Sequence, residues 1–145
     1  MNSFNHYAYG AVGDWMYRVV AGLNDDPAEP GYKHIIVRPQ PGGGFTYATA
    51  ALQTPYGEAV SGWRIDGDRM RVTVRVPVNT RATVHLPGAR LEQVHERGSA
   101  LTSTRGVTKA VQSADSAVVE IGSGSYEFTY DAPQLAARLR DGVRH

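Results

Sequence analysis

The spacing of apolar residues changes once along the chain, close to Gly31. Before that point apolar residues recur at steps of three and four, which places them on one face of a helix between Asn5 and Gly22. They are Ala8, Val12, Trp15, Met16, Val19 and Leu23. After Gly31, apolar residues alternate with polar ones, which is the period of a β-strand with one wet face. The pattern predicts an N-terminal α-helix followed by a mainly β unit.

The predicted helix is unusual for a surface helix. Gly10 and Gly13 each cost about 1 kcal/mol relative to alanine in a helix interior. Tyr7, Tyr9 and Tyr17 lie away from the apolar face. A helix that is apolar on one side and aromatic elsewhere is expected to have neighbours on more than one side, so we predict that it belongs to a larger helical assembly.

Short alternating segments bounded by turn residues fill the rest of the chain. Strands are predicted at 34–38, 46–53, 58–66, 70–76, 82–86, 118–121 and 126–130, with a weaker pair at 91–96 and 100–103. The segments 118–121 and 126–130 are expected to form the last hairpin, around the glycines and serines of 122–125. About eight short strands at this spacing favour an antiparallel β-sandwich.

These periods divide the chain into four parts. Residues 24–31 form an acidic loop whose prolines stop the helix, and Pro133 ends the last strand. The tail has a weak helical pattern through Leu135 and Leu139 and is expected to fray. The expected parts are a helix at 1–24, a linker loop at 25–33, the β-sandwich at 34–132 and the tail at 133–145.

Composition narrows the choice of partners. A net charge of +1 on 145 residues favours neither nucleic acid nor an anionic membrane. The absence of cysteine excludes disulfides, thiolate metal sites and cysteine nucleophiles. No apolar run approaches the roughly 20 residues of a membrane span. No signal peptide is predicted, although this carries no weight if Met1 is internal to a longer protein, and the compartment stays open.

Neither the acidic loop nor the histidines have the spacing of a metal site. Asp25, Asp26 and Glu29 lack the pattern of an EF-hand, so a solvated loop is favoured over a calcium site. The histidines show no HExxH or comparable arrangement. We therefore predict no metal and no cofactor.

Complete catalytic motifs are also missing. The glycines at 42–44 are not followed by the Gly-Lys-Ser/Thr of a phosphate-binding loop, and no GxSxG nucleophile elbow occurs. Glycosidases need two carboxyl groups, and neither Asp14 nor the pair Asp66 and Asp68 stands out as such a pair. No catalytic residue is therefore assigned. His6 is the first candidate for substrate binding, but the residues alone favour a structural or surface role.

Residues 3–18, Ser-Phe-Asn-His-Tyr-Ala-Tyr-Gly-Ala-Val-Gly-Asp-Trp-Met-Tyr-Arg, resemble the end of the catalytic domain of α-L-rhamnosidases of glycoside hydrolase family 78. The similarity continues through 21–23, 30–33, 36–39, 41–44, Tyr56-Gly57 and Trp63, and weakens after about Pro87. The resemblance implies an (α/α)₆ catalytic barrel followed by a C-terminal antiparallel β-sandwich. It also implies inverting hydrolysis of terminal α-L-rhamnosyl groups by a glutamate acid and a glutamate base.

For this chain the resemblance implies a C-terminal fragment. Residues 1–24 correspond to the last barrel helix, and the family's catalytic glutamates would precede Met1. His6 matches a histidine that contacts rhamnose, so a substrate contact is expected in the intact barrel only. Trp15 and Trp63 are expected to pack in cores, in preference to stacking on sugars.

The expected function follows from these points. The isolated chain is expected to be inactive, with the sandwich buttressing the barrel, and a rhamnosylated glycan or glycoside is the substrate of the intact enzyme. The alternative is a non-catalytic carbohydrate-binding or subunit-interaction module, for which Tyr47, Tyr56, Tyr126 and Tyr130 supply aromatic rings. The helix face is expected to be covered by the rest of the barrel or by self-association.

Overall fold

The computed structural model describes residues 20–29, 31, 33–42 and 45–143, and side chains as far as Leu139. Residues 1–19 of the predicted N-terminal helix, and with them His6, Asp14 and Trp15, lie outside the described residues. Within them, no helix is long and apolar enough to cross a membrane.

The described chain is mainly β, as the alternation of its apolar residues predicts. Its strands are β1 (Leu23–Asp25), β2 (His34–Val37), β3 (Tyr47–Thr54), β4 (Gly57–Asp66), β5 (Arg69–Val76), β6 (Arg81–Pro87), β7 (His95–Glu96), β8 (Ser99–Ala100), β9 (Val107–Gln112), β10 (Ser116–Ile121) and β11 (Gly124–Asp131). Two short 3₁₀ helices lie at Leu91–Gln93 and Leu101–Ser103, and one α-helix, α1, spans Pro133–Val143.

The strands form the two sheets of a sandwich. The five-stranded sheet has the order β1-β2-β6-β10-β9, and the six-stranded sheet has the order β3-β4-β5-β11-β7-β8. All the pairs are antiparallel except β2 with β6, which run parallel in the register His34 to Arg81. The predicted antiparallel β-sandwich is therefore confirmed, with one parallel pair that the sequence pattern did not indicate.

One apolar core lies between the sheets. Strand β5 shows how it is built, because its residues alternate strictly between exposed and buried. Met70, Val72, Val74 and Val76 point inward from this strand. Ala82, Val84 and Leu86 do the same from β6 in the other sheet, and all of them belong to the same cluster. Burial of aliphatic side chains of this size is the main source of stability in such a fold.

The predicted last hairpin is wrong. Strand β10 pairs with β6 and β9, whereas β11 pairs with β5 and β7, so Gly122 and Ser123 carry the chain from one sheet to the other. The Tyr126 hydroxyl holds this crossing, since it lies 3.0 Å from the carbonyl oxygen of Gly122 and 3.3 Å from that of Ser123. A short glycine-rich connection therefore spans the sandwich here.

Two strands were not predicted. Leu23 fits the helical spacing, but Leu23–Asp25 forms β1 and pairs with β2. Strand β9 at Val107–Gln112 is an edge strand with no buried residue and no clear alternation. The weak pair is confirmed only at its centre, where β7 pairs with β8, because the 3₁₀ helices take up the flanking residues. The described residues thus contain eleven strands, not about eight.

The tail is more ordered than expected. Helix α1 begins with Pro133, a residue suited to the first helical turn. Leu135, Ala136 and Leu139 are buried in the main core, so the weak helical pattern is confirmed and the expected fraying is not found up to Leu139. The helix closes one part of the sandwich next to Gly88.

Candidate functional site

The chain enters the sandwich through Val20, Ala21 and Gly22, here called the entry segment, immediately before β1. Two side chains of β4 hold it. The Trp63 indole Nε1–H donates to the carbonyl oxygen of Val20 at 2.8 Å. The Ser61 hydroxyl donates to the carbonyl oxygen of Ala21 at 2.7 Å. The six-stranded sheet therefore binds the entry segment by two side-chain hydrogen bonds.

Backbone donors hold the same segment from the other sheet. The N–H of Arg38, directly after β2, donates to the carbonyl oxygen of Gly22 at 2.8 Å. The N–H of Gln40 donates to the carbonyl oxygen of Val20 at 3.1 Å. These bonds continue the ladder between β1 and β2 backward along the chain. The Val20 carbonyl thus has a donor from each sheet, the Ala21 carbonyl has one from β4 and the Gly22 carbonyl has one from the residue after β2.

The contact of Ser61, Trp63, Arg38 and Gln40 with the entry segment is here called the junction. The burial of Ser61 and Trp63 makes the junction energetically costly to disrupt. Alternation along β4 points both Ser61 and Trp63 into the core, where they are 0% and 2% exposed. A buried donor without an acceptor costs about 1–3 kcal/mol. Ala21 and Leu23 are buried with them. The inner face of β4 is thus complementary to the entry segment in both shape and hydrogen bonding.

Gly22 makes the close approach possible. Its φ of +77° lies in the left-handed region that favours glycine. A Cβ atom at this position would lie 2.1 Å from the carbonyl oxygen of Arg38. Because that neighbour is backbone, a side chain here would have to push the two chain segments apart. The sequence pattern places Gly22 at the end of the predicted helix, and the structure adds a steric requirement for glycine at this position.

The acidic loop forms an ion-pair network. His34 Nδ1 lies 2.7 Å from Asp26 Oδ2, and His34 Nε2 lies 2.7 Å from the Thr83 hydroxyl oxygen. Arg81 donates to both carboxylate oxygens of Glu29, and the hydrogen bond holds the pKa of Glu29 below its usual value. The network ties the loop to the start of β2 and to β6.

Three residues of this network are close enough to be compared with a metal site. The ligand atoms of Asp26, Glu29 and His34 lie within 4.8 Å of one another. Each of them already has a protein partner, and a cation would have to displace the Arg81 guanidinium from Glu29. The arrangement is explained by salt bridges, and the neighbouring Asp25 accepts a hydrogen bond from the Gly31 N–H.

The ionisation of Asp26 gives a pH prediction. The backbone N–H of Ala28 and then His34 donate to its carboxylate, and these hydrogen bonds lower its pKa. The stabilising effect is present above the ordinary aspartate pKa of about 3.9 and is lost as the pH falls through the lowered value. We expect Asp26→Asn to melt below the wild type at pH 7, with the two melting temperatures converging below about pH 4. A gap that stays constant with pH would contradict this role of the charge.

The tyrosines and Trp63 are distributed between core and surface. Trp63, Tyr126 and Tyr130 are buried, which confirms Trp63 as a core residue. Burial also raises the pKa of the Tyr130 hydroxyl far above its usual value, and this hydroxyl donates to the Pro87 carbonyl at 2.7 Å. Tyr47 is 57% exposed, with the Arg64 guanidinium 5.1 Å from its ring centre. Tyr47 is therefore the most open of the four tyrosines to a ligand.

The close carboxylates of Asp26 and Glu29 are not suited to glycoside hydrolysis, because hydrogen bonds lower the pKa of both and neither is poised to act as the general acid. Glu96 is the one buried carboxylate among the described side chains, and its Oε2 accepts from the Glu127 N–H and the Arg97 Nε–H, both at 3.1 Å. Asp66 and Asp68 flank the turn between β4 and β5. The described residues that line a surface depression of about 320 Å³ include no acid; they are Lys33, Asn79, Thr80, Arg81 and Ser123.

Comparison with known proteins gives the family. The model of the bacterial alpha-L-rhamnosidase C-terminal domain matches residues 22–100, more than half of the chain. The chain belongs to this family. The match begins at Gly22 and includes both Ser61 and Trp63, so the two donors on β4 lie within the matched domain, and Val20 and Ala21 directly precede it.

Relatives of the rhamnosidase C-terminal domain are parts of much longer proteins. An α-L-rhamnosidase of Streptomyces avermitilis is 39% identical over 130 residues, which cover 89% of this chain and 12% of the relative. The crystal structure of the Streptomyces avermitilis α-L-rhamnosidase complexed with L-rhamnose matches at a TM-score of 0.70 and 37% identity, over 90% of this chain and 12% of that one. The structure of the α-L-rhamnosidase from Dictyoglumus thermophilum matches at a TM-score of 0.71 and 32% identity, over 85% of this chain and 14% of that one.

Of the two β4 side chains that bind the entry segment in this rhamnosidase domain, the sequence pointed to Trp63 but not to Ser61. Trp63 belonged to the resemblance, but its bond to Val20 was not foreseen. Ser61 was not singled out, although it occupies an inward position of β4 between Ala59 and Trp63. A polar residue at a core position is a signal that a buried partner exists. His6 lies outside the described residues, so its predicted sugar contact stays a prediction.

Proposed function

We propose that this chain is the C-terminal part of an α-L-rhamnosidase, and that its sandwich buttresses the catalytic domain that precedes it. The carrying observation is the junction at residues 20–22, where both sheets of the sandwich hold three successive carbonyls of the entry segment. Two core side chains of β4, Ser61 and Trp63, make this contact. We infer that the sandwich is built to hold an upstream domain in place.

In this proposal the chemistry belongs to the intact enzyme. Its reaction is the inverting hydrolysis of terminal α-L-rhamnosyl groups of a glycan or glycoside, and its glutamate acid and base lie upstream of this chain. Residues 1–22 form the end of the catalytic domain, where His6 contacts the sugar. The sandwich begins at β1 (Leu23–Asp25) and ends with α1. The carboxylates of Asp26 and Glu29, whose oxygens lie within 4.8 Å of each other, are engaged by His34 and Arg81, which supports a non-catalytic role for the sandwich.

The proposal predicts that the isolated 145-residue chain is inactive. It should release no p-nitrophenol from p-nitrophenyl α-L-rhamnoside above the buffer rate, because an acid and a base must both flank the glycosidic bond. The matched control is the intact enzyme at the same molar concentration, which should release p-nitrophenol. Activity of the isolated chain would contradict the non-catalytic assignment, and an inactive intact enzyme would contradict the rhamnosidase assignment.

Carbohydrate binding by the sandwich remains the second candidate. The observation in its favour is the exposed ring of Tyr47 on β3. The observation against it is that Tyr126 and Tyr130, two of the four tyrosines considered, are buried in the core. We rank buttressing first for this reason. Self-association of the isolated chain stays a prediction.

A further inference from the structure

The junction fixes the register of the entry segment, not only its proximity. Val20, Ala21 and Gly22 present three consecutive carbonyls, and each meets its own donor. The donors on one side are side chains of a strand in the interior of the six-stranded sheet, since β4 lies between β3 and β5. A shift of the segment by one residue would break every one of these bonds. Such a shift would also place another residue beside Arg38, where a Cβ atom would clash with the backbone and glycine is therefore required.

We propose that Ser61 and Trp63 are positioning residues for the rhamnosidase reaction. They set where the chain leaves the catalytic domain, and through this they set the position of the upstream segment that contributes to the sugar site. The inference rests on the proposed function, because it requires the segment before Val20 to belong to the catalytic domain. A misplacement of about 1 Å in a substrate-positioning element can reduce activity about a hundredfold, so a loosened junction is expected to be visible in kinetics.

The physical step is the loss of one of two donors to the Val20 carbonyl. In Trp63→Phe the aromatic ring stays in the core, but the indole N–H that lies 2.8 Å from this carbonyl is gone. Gln40 is then the remaining donor to it. The carbonyl can tilt, and the entry segment gains freedom that the junction no longer removes. Binding of the sugar must then order this segment, which weakens substrate affinity.

The test compares two variants of the intact enzyme that each lose one buried hydrogen bond to a carbonyl. In Trp63→Phe the bond is at the junction. In the matched control, Tyr130→Phe, it is the bond to Pro87, from a side chain that is 1% exposed. We expect Trp63→Phe to raise KM for p-nitrophenyl α-L-rhamnoside about tenfold with little change in kcat, the signature of lost binding in both ground and transition states. We expect Tyr130→Phe to lower the melting temperature and to leave KM unchanged.

A second readout follows the junction directly. In the 145-residue chain, amide exchange at Arg38 and Gln40, whose N–H groups bind the entry segment, should accelerate about tenfold in Trp63→Phe and not in Tyr130→Phe. If Trp63→Phe does not fold, Ser61→Ala replaces it, since it removes only the hydroxyl bound to Ala21. Equal KM for the junction variant and the control would overturn the positioning role. Loss of all activity in the wild-type intact enzyme would instead overturn the proposed function.

Discussion

Replacing Gly22 with alanine is expected to destabilise the domain by about 3 kcal/mol or more. About 1–2 kcal/mol comes from forcing an L-residue into the left-handed region at φ +77°. A further 1–3 kcal/mol, roughly, comes from the new Cβ, which would meet the Arg38 carbonyl oxygen and the Pro39 nitrogen at 2.1 and 2.5 Å. Because these atoms are backbone, relief requires β1 to move away from the end of β2. Urea unfolding followed by tryptophan fluorescence would measure the loss.

Gly67→Ala is the matched control for this prediction. Gly67 also has a positive φ, +59°, but a Cβ built on it meets nothing within 4 Å. Its substitution carries only the conformational cost, about 1–2 kcal/mol, without a clash. The difference between the two variants therefore isolates the close approach at the entry segment. Equal destabilisation by both substitutions would show that the backbone at Gly22 can relax, and would remove the steric argument for the junction.

Local alternation was sufficient to predict most of the strands. The run from Met70 to Val76 alternates on its own, so β5 needed no information from its neighbours. Strand β1 could not be found this way, because its three residues are too few to show a period and Leu23 also fits the helical spacing. It is extended because it pairs with Ile35 and Val37 in the register of β2. Where the partner decides the conformation, the segment alone gives no signal.

The predicted hairpin between β10 and β11 was wrong for a different reason. Both strands were predicted close to their positions, and the glycines and serines between them are typical of a hairpin. Pairing was nevertheless decided by the two sheets, because Ile121 faces the core from one side and Tyr126 from the other. The Tyr126 hydroxyl then satisfies the carbonyls of the crossing. The choice between a hairpin and a crossing depends on which sheet has space, which is not a local property.

The junction was only partly accessible from sequence for the same reason. The acceptors for Ser61 and Trp63 lie 40 and 43 residues earlier in the chain and are backbone carbonyls, which carry no residue signature. What the sequence does contain is the inward serine of β4 and the glycine at residue 22. Each has an ordinary explanation by itself. Their shared role in binding the entry segment can be recognised only in the fold, which places Gly22 beside Arg38 and Ala21 beside Ser61.

The match to the family model gives these features a functional setting. It begins at Gly22, and the Streptomyces avermitilis relative extends far beyond the 12% of its length that this chain covers. A C-terminal domain that merely followed a catalytic domain would need a flexible linker at this point. Here Ala21 and Gly22 are instead buried, and the entry segment is bonded to both sheets. This favours a fixed orientation of the sandwich relative to the domain before it, as the buttressing proposal requires.

Replacing Trp63 with alanine is the second large effect we expect. The indole is 2% exposed and fills the core beneath the entry segment, so its removal leaves a cavity and deprives the Val20 carbonyl of one donor. Truncation of a buried tryptophan typically costs about 3–5 kcal/mol, a large part of the stability of a domain of this size. Thermal and urea unfolding by circular dichroism would measure it, since the variant also removes a fluorescence reporter.

Arg64→Ala provides the comparison one position further along β4. Arg64 points to the outer face, where its guanidinium lies 5.1 Å from the ring centre of the exposed Tyr47. The loss of this surface contact should cost about 0.5–1 kcal/mol. Equal losses of unfolding free energy in Trp63→Ala and Arg64→Ala would mean that the tryptophan contributes no more to stability than a surface residue. A much larger effect for Trp63→Ala, with faster exchange of the Gln40 amide, would show that the core and the junction are lost together, because one side chain serves both.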